Sequence, residues 1–264
     1  MLGLVCGGVL SKPLGEVVWG TVLGQIGFAW AVSALLALVF GWKMRTVIVL
    51  VLLVGATIAL RICVAPDHPD LSPFSQEGNI AGWIDRMLFP SAAAHYYQQG
   101  LFAHVSAIVT ATLGMLAGEF VRSRRFDGDR TSLLMAAAGI ALGAVGYAAD
   151  AFGFLPVVKK MWTPSFVLVA GGWSLLLFAV CHWLIDVRGY WTWTAALRAV
   201  GMNAIAIYLL VSFVDFWKLA KNFTGFAYRI WPAYLGDVLT AVVELSITWS
   251  LLLFLYRKKI FLKV

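Results

Sequence analysis

The chain has 264 residues, of which 61% are hydrophobic and 12% charged, with mean hydropathy +0.87 and a formal charge of +7. A soluble domain carries roughly twice that charged fraction, so composition excludes a soluble globular protein. The lysines and arginines fall in short clusters between apolar runs, a membrane-topology pattern rather than a nucleic-acid-binding surface.

In chain order, MLGLVCGGVL is apolar but too short to cross a bilayer, which takes about 20 residues. With the following SKPLGE it is expected to form a partial helix and turn over 1–16. It has neither the basic start nor the small-residue cleavage site of a signal peptide. Seven longer runs are predicted to span: 17–40, 46–63, 101–121, 133–152, 165–185, 199–217 and 234–256. The predicted fold is therefore all-α, a polytopic membrane protein forming a single integral membrane domain over 1–264. Arg45 and Arg61 flank the short second run and can snorkel. Gly114/Gly118 and Gly139/Gly143 are GxxxG pairs that let neighbouring helices approach. Cys6, Cys63 and Cys181 lie far apart without metal or redox spacing, and read as packing residues.

Alternating spans put twelve Lys and Arg on one side and eight on the other. The richer side carries Lys43, Arg122, Arg124, Arg125 and the closing YRKKIFLKV, and is expected to be cytoplasmic. The loop 64–100 and the pair Lys159–Lys160 then lie outside. Prolines make the start of that loop irregular. Its EGNIAGWIDRMLF predicts a short amphipathic surface helix with Ile80, Trp83, Ile84 and Leu88 on one face. Asp85 and Arg86, being adjacent, face different directions. His68, His95 and His104 have no nearby Cys or Glu at ligand spacing, so no metal is expected.

Ionisable groups inside spans usually face a cavity or a partner. Arg61, His104, Asp150, Asp215 and Asp237 fall near the outer ends of their predicted spans, level with Lys159 and Lys160. Asp237, Thr240, Glu244 and Thr248 recur at helical spacing and draw one polar stripe. Asn203, in GMNAIAIY, lies toward the inner third of the sixth run. Two readings stand: a polar cavity open to the outside, or boundary charges solvated by headgroups. The group YWTW at 190–193 reads as an interfacial belt. A lysine pair ahead of an apolar run is ordinarily a cytoplasmic anchor; on the outer side, framed by Pro156 and Trp162, it suggests a site for a negative group.

The segments TVLGQIGFAWAVSALLAL, EGNIAGWIDRMLF, LPVVKKMWTPSFVLVAGGWSLLLFAVCHWLIDVRGY, VGMNAIAIY and YRKKIFLKV, in this order, resemble relatives of heparan-alpha-glucosaminide N-acetyltransferase. The likeness is greatest to bacterial members, some labelled as sugar-utilisation membrane proteins. The resemblance implies a multi-span acyltransferase of the bacterial inner membrane. It would carry an acetyl group from coenzyme A to an amino sugar or related glycan on the far side. The chain departs from the family in three places. The family's opening helices and their histidine have no counterpart here, and residues 1–10 match the end of a helix partway along that section. Val158 stands where Asn is usual. Gln98, Gln99 and Gly100 stand where many members have Asp-Pro-Glu-Gly. None of His68, His95, His104 or His182 falls on the family's catalytic position, so no catalytic residue is assigned and an inactive form is one expectation.

The candidates for binding substrate or donor are Asn79, Asp85, Arg86, Lys159, Lys160, Trp162 and Asn203. His104, Asp237 and Glu244 are the intramembrane polar candidates. Acetyl-CoA is the expected acyl donor. The expected partners are membrane lipid, an amino sugar or glycan acceptor and a second copy of the chain, with no nucleic acid. A sugar permease, or a subunit of one, is the alternative, because intramembrane Asp and Glu with GxxxG packing fit a transporter too.

Overall fold

The computed structural model describes residues 22–75, 77–88 and 101–261. The partial helix and turn expected over 1–16, together with His95 and Gln98–Gly100, lie outside these. The described residues form helices α1 (Val22–Val39), α2 (Trp42–Ile62), α3 (Ile80–Leu88), α4 (Leu101–Arg122), α5 (Gly128–Ala151), α6 (Pro164–His182), α7 (Thr194–Met202), α8 (Ala204–Phe213), α9 (Phe216–Thr224), α10 (Ala227–Ile230) and α11 (Ala233–Arg257). A π-helical turn, Trp183–Val187, continues α6. Six of these helices are long and apolar enough to cross a membrane, or seven if the bent pair α7–α8 is one span. The large side chains on their surfaces, such as Leu38, Trp30 and Leu245, are exposed, as lipid-facing residues are. This is an all-helical integral membrane protein.

The contacts divide the chain into two compact units, Met1–Arg188 and Gly189–Val264. In the first unit, Val49, Val109 and Val167 form a small apolar centre shared by α2, α4 and α6. With no hydrophobic effect between lipid-solvated helices, close contact and interhelical hydrogen bonds hold them together. Helix α1 meets α4 through Gln25 Nε2 donating to Ala103 O at 3.0 Å and through Ser33 Oγ and Thr112 Oγ1, 3.0 Å apart. Helices α5 and α6 approach most closely at glycine. A Cβ added to Gly172 would lie 2.6 Å from Gly139 O and 2.7 Å from Gly143 N. The Gly139/Gly143 pair thus packs as expected. The Gly114/Gly118 pair does not, since a Cβ at either meets nothing within 4 Å among the described residues. Gly114 instead borders an apolar cleft of about 360 Å³ together with Leu142, Gly171 and Phe178.

Three expectations from the sequence are corrected. Residues 199–217 do not form one helix: α7 starts at Thr194, and α7 and α8 meet at a 63° bend at Asn203. Gly201 and Asn203 are poor helix formers, and an Asn side chain competes for backbone groups. Asp215, expected inside the span, caps the next helix, its Oδ1 accepting from Lys218 N at 2.8 Å. Arg45 does not snorkel. It is buried at 4% exposure, and its Nη2 lies 2.6 Å from Glu119 Oε2.

Candidate functional site

The turn before α6 is built by two buried hydroxyls. Thr163 and Ser165 are wholly buried, and both donate to Pro156 O, at 2.9 and 2.7 Å. Thr163 Oγ1 also accepts from Val158 N at 3.1 Å and, as the N-cap of α6, from Phe166 N at 3.4 Å. Pro164 at the first helical position completes a strong helix start. Asp150 Oδ1 takes Val157 N at 3.2 Å, and Ser106 Oγ from α4 donates to Trp162 O at 2.7 Å. The chain between these anchors reverses at Trp162, whose φ is +49°. A bulky residue in the left-handed region costs of order 1 kcal/mol or more and persists only where its surroundings over-determine it. Here the clamps on Pro156, Val158 and Trp162 do so.

The result is a pinned turn presenting Lys159 and Lys160, both exposed, just ahead of the N-terminus of α6. Within their unit neither lysine has an ion-pair partner among the described residues. Asp150, expected at the same level, is engaged by the backbone N–H of Val157. Two like charges beside a helix N-terminus favour an anion. The half-buried Trp162 ring stands edge-on to Phe166, centroids 6.0 Å apart.

The outer loop is also pinned. Asn79, 4% exposed, caps α3: its Oδ1 accepts from Gly82 N at 2.6 Å while Nδ2 donates to Ser75 O at 2.9 Å. Gly78 lies so close to the preceding turn that an added Cβ would be 2.6 Å from Ser72 O. Arg86 holds Asp67 with two parallel bonds and donates to Glu77 O at 2.9 Å. Asn79 and Arg86 are therefore occupied in shaping the loop, and Asp85 is buried on α3. Arg61, at the end of α2, donates to the carbonyls of Gly153 and Phe154 and lies over the Phe154 ring, 4.7 Å from its centroid. His104 faces Phe28 edge-on at 5.5 Å.

In the second unit, the bend at Asn203 leaves a polar group in the apolar interior. Asn203 is 1% exposed; Nδ2 lies 3.5 Å from Ala199 O, and Oδ1 has no hydrogen-bond partner among the described residues. An unmet buried acceptor costs about 1–3 kcal/mol. The polar stripe on α11 is less open than its spacing suggests. Thr240 is fully buried and joins Thr224 Oγ1 at 2.7 Å and Tyr228 OH at 3.0 Å, and Tyr228 donates to Asp237 Oδ1 at 2.7 Å. Tyr228 lies outside the spans. The Thr240 contact lowers its pKa, but burial and the Asp237 carboxylate outweigh this and leave the phenol above its usual value. Glu244 is half-exposed one turn deeper, and its carbonyl accepts from Thr248 Oγ1 at 2.8 Å.

One close pair had no signal in residue spacing. Ser132 Oγ and His182 Nδ1 lie 2.7 Å apart across α5 and α6, and Ser132 also donates to Gly128 O at 3.0 Å. The two residues are 50 positions apart in sequence.

No protein-family profile matches the chain. Over 211 residues, 71% of the chain, it is 28% identical to heparan-alpha-glucosaminide N-acetyltransferase of Homo sapiens. The Mus musculus enzyme of the same name is 27% identical over 214 residues. The similarity is distant, and the match spans 30% of the length of each of these relatives.

Proposed function

We propose that the protein is a membrane acyltransferase that passes an acetyl or other acyl group from coenzyme A to an amino sugar or related glycan. The observation that carries this reading is the similarity to an N-acetyltransferase along 71% of the chain. In such a transfer the acceptor amine attacks the thioester carbonyl, the C–S bond breaks, and the coenzyme leaves as its thiol with the proton the amine gives up. The reaction needs a base at the amine and donors around the oxyanion, and the donor's phosphates need cations. Lys159 and Lys160, expected on the outer face, are cations placed for an anionic group of the acceptor or of a donor that reaches that face, with Trp162 as a wall against an apolar or sugar face. Asn203 Oδ1 is an open acceptor for a hydroxyl or amine. No base is assigned; His104, about one turn inside its helix, is the first residue to test. The basic asymmetry supports a cytoplasmic C-terminus, and the resemblance to bacterial members supports an inner membrane location.

A second reading, a sugar permease, is favoured by the broken span. Transporters place substrates at interrupted helices whose freed polar groups line the path. Vesicles holding an amino sugar, with labelled acetyl-CoA outside, separate the two. Labelled N-acetyl sugar inside supports acyl transfer, uptake of unmodified sugar replaces it with transport, and neither outcome overturns both.

A further inference from the structure

Arg45 is the one charged side chain of the described residues that is buried with open donors. Standing on the first turn of α2 at 4% exposure, it meets Glu119 Oε2 through Nη2 alone. Its Nε and Nη1 are out of water and have no hydrogen-bond partner among the described residues. A guanidinium has five N–H donors, and those two nitrogens carry three of them. Burying a charged donor without an acceptor costs more than filling the same space with an apolar side chain. Packing therefore does not account for Arg45.

Two further basic residues stand at the same end of the unit. Arg122 lies three residues beyond Glu119 on α4, hence on the same helical face, and is exposed. Lys43, also exposed, lies two residues before Arg45 and sits 5.7 Å from the centroid of the Trp42 ring. Helix α2 runs for 21 residues from Gly41, which makes no side-chain cap hydrogen bond. Its first N–H groups and the positive end of its dipole thus face the same end of the unit. Helical side chains lean toward the N-terminus, so Arg45 leans that way too. Among the described residues, Glu119 supplies the one carboxylate on the guanidinium.

We propose that this end of the first unit binds a phosphate oxyanion, with Arg45 as its buried ligand and Arg122 and Lys43 at its rim. Arginine matches a phosphate's oxygens with fixed N–H directions, which a lysine does not. Two sources offer that chemistry where a helix leaves the bilayer: the phosphodiester of an anionic phospholipid, and a soluble phosphate. Basic pockets between transmembrane helices take lipid headgroups of this kind. The proposal does not depend on acyl transfer.

The test uses the purified protein in detergent. In one arm, it is exchanged against equal phosphatidylglycerol and phosphatidylcholine, and the lipid retained is counted by native mass spectrometry. In the other, thermal unfolding is followed with added inorganic phosphate. Wild type should retain phosphatidylglycerol, or gain stability from phosphate, with Arg45→Gln weaker by about tenfold or more, equivalent to 1.4 kcal/mol. Retention of lipid without a phosphate effect assigns the site to a headgroup, and the reverse assigns it to a soluble ligand. If Arg45→Gln does not fold, the exposed pair Lys43→Gln/Arg122→Gln carries the test through the same loss. No binding in either arm, or binding unchanged in these variants, overturns the proposal.

Discussion

Arg86 grips the Asp67 carboxylate with both edges of its fork, Nε to Oδ2 at 2.7 Å and Nη2 to Oδ1 at 2.8 Å. The pair ties α3 to the turn that leaves α2, 19 residues earlier. The Arg86 hydrogen bond, partly offset by burial and reinforced by the arginine's charge, holds the Asp67 carboxyl below its usual value. A carboxyl lowered in the folded state contributes stability above its unfolded value, about 3.9. That contribution is lost as pH falls through the lower, folded value. Amide exchange of α3, corrected for intrinsic rate, should stay protected from neutral pH to about 4 and weaken only below it. Arg86→Ala should remove the protection across that range. Protection insensitive to both acid and Arg86→Ala would show that other contacts hold the loop.

Glycine contacts give a sharper contrast. Gly172→Ala would drive a methyl into the backbone of α5 at Gly139 and Gly143, where neither helix has a flexible side chain to yield. Overpacking of this kind costs about 1–3 kcal/mol. Gly114→Ala meets only the open cleft and should be close to neutral, or slightly stabilising through helix propensity. Melting temperatures in detergent should fall for the first and hold for the second. Equal effects would mean that α5 and α6 do not touch as described.

Much of the fold was legible because a bilayer demands long apolar helices, and six predicted runs coincide with observed helices to within a few residues. The break at Asn203 was not. Its neighbours are apolar enough for a span, and one Asn in a window barely changes mean hydropathy. The site was partly legible: two adjacent lysines between Pro156 and Trp162 stand out in any reading. What pins them does not. Ser106, Thr163 and Ser165 bond to main-chain carbonyls, and carbonyls carry no residue identity to pattern. Arg45 was misread for a related reason, because its partner Glu119 lies 74 residues away on another helix.

Asn203 allows stability and function to be separated. Replacing it with leucine removes an unmet buried acceptor and raises helix propensity at the bend. Asn203→Leu should therefore raise the melting temperature while lowering acetyl transfer, or sugar uptake if the permease reading holds. Functional sites commonly trade stability in this way. A variant that is less stable and fully active would show that the carboxamide serves only to shape the α7–α8 bend.

The lysine turn makes the strictest demand. A membrane anchor tolerates loss of one charge and is indifferent to backbone shape, whereas Lys159 and Lys160 sit on a turn held by Thr163, Ser165 and Ser106 and strained at Trp162. If the pair holds an anionic group of the substrate or the acyl donor, Lys160→Ala should weaken that ligand's binding or the activity by about tenfold or more, equivalent to 1.4 kcal/mol. Lys160→Arg should restore only part of it, since a guanidinium does not reproduce a compact ammonium. Thr163→Val keeps both charges and the side-chain shape but removes the hydroxyl that ties Pro156, Val158 and Phe166 together. It should lower binding in the same direction while membrane insertion stays normal, a loss that charge alone does not explain. Unchanged kinetics in Lys159→Ala, Lys160→Ala and the double variant would reduce the pair to an anchor.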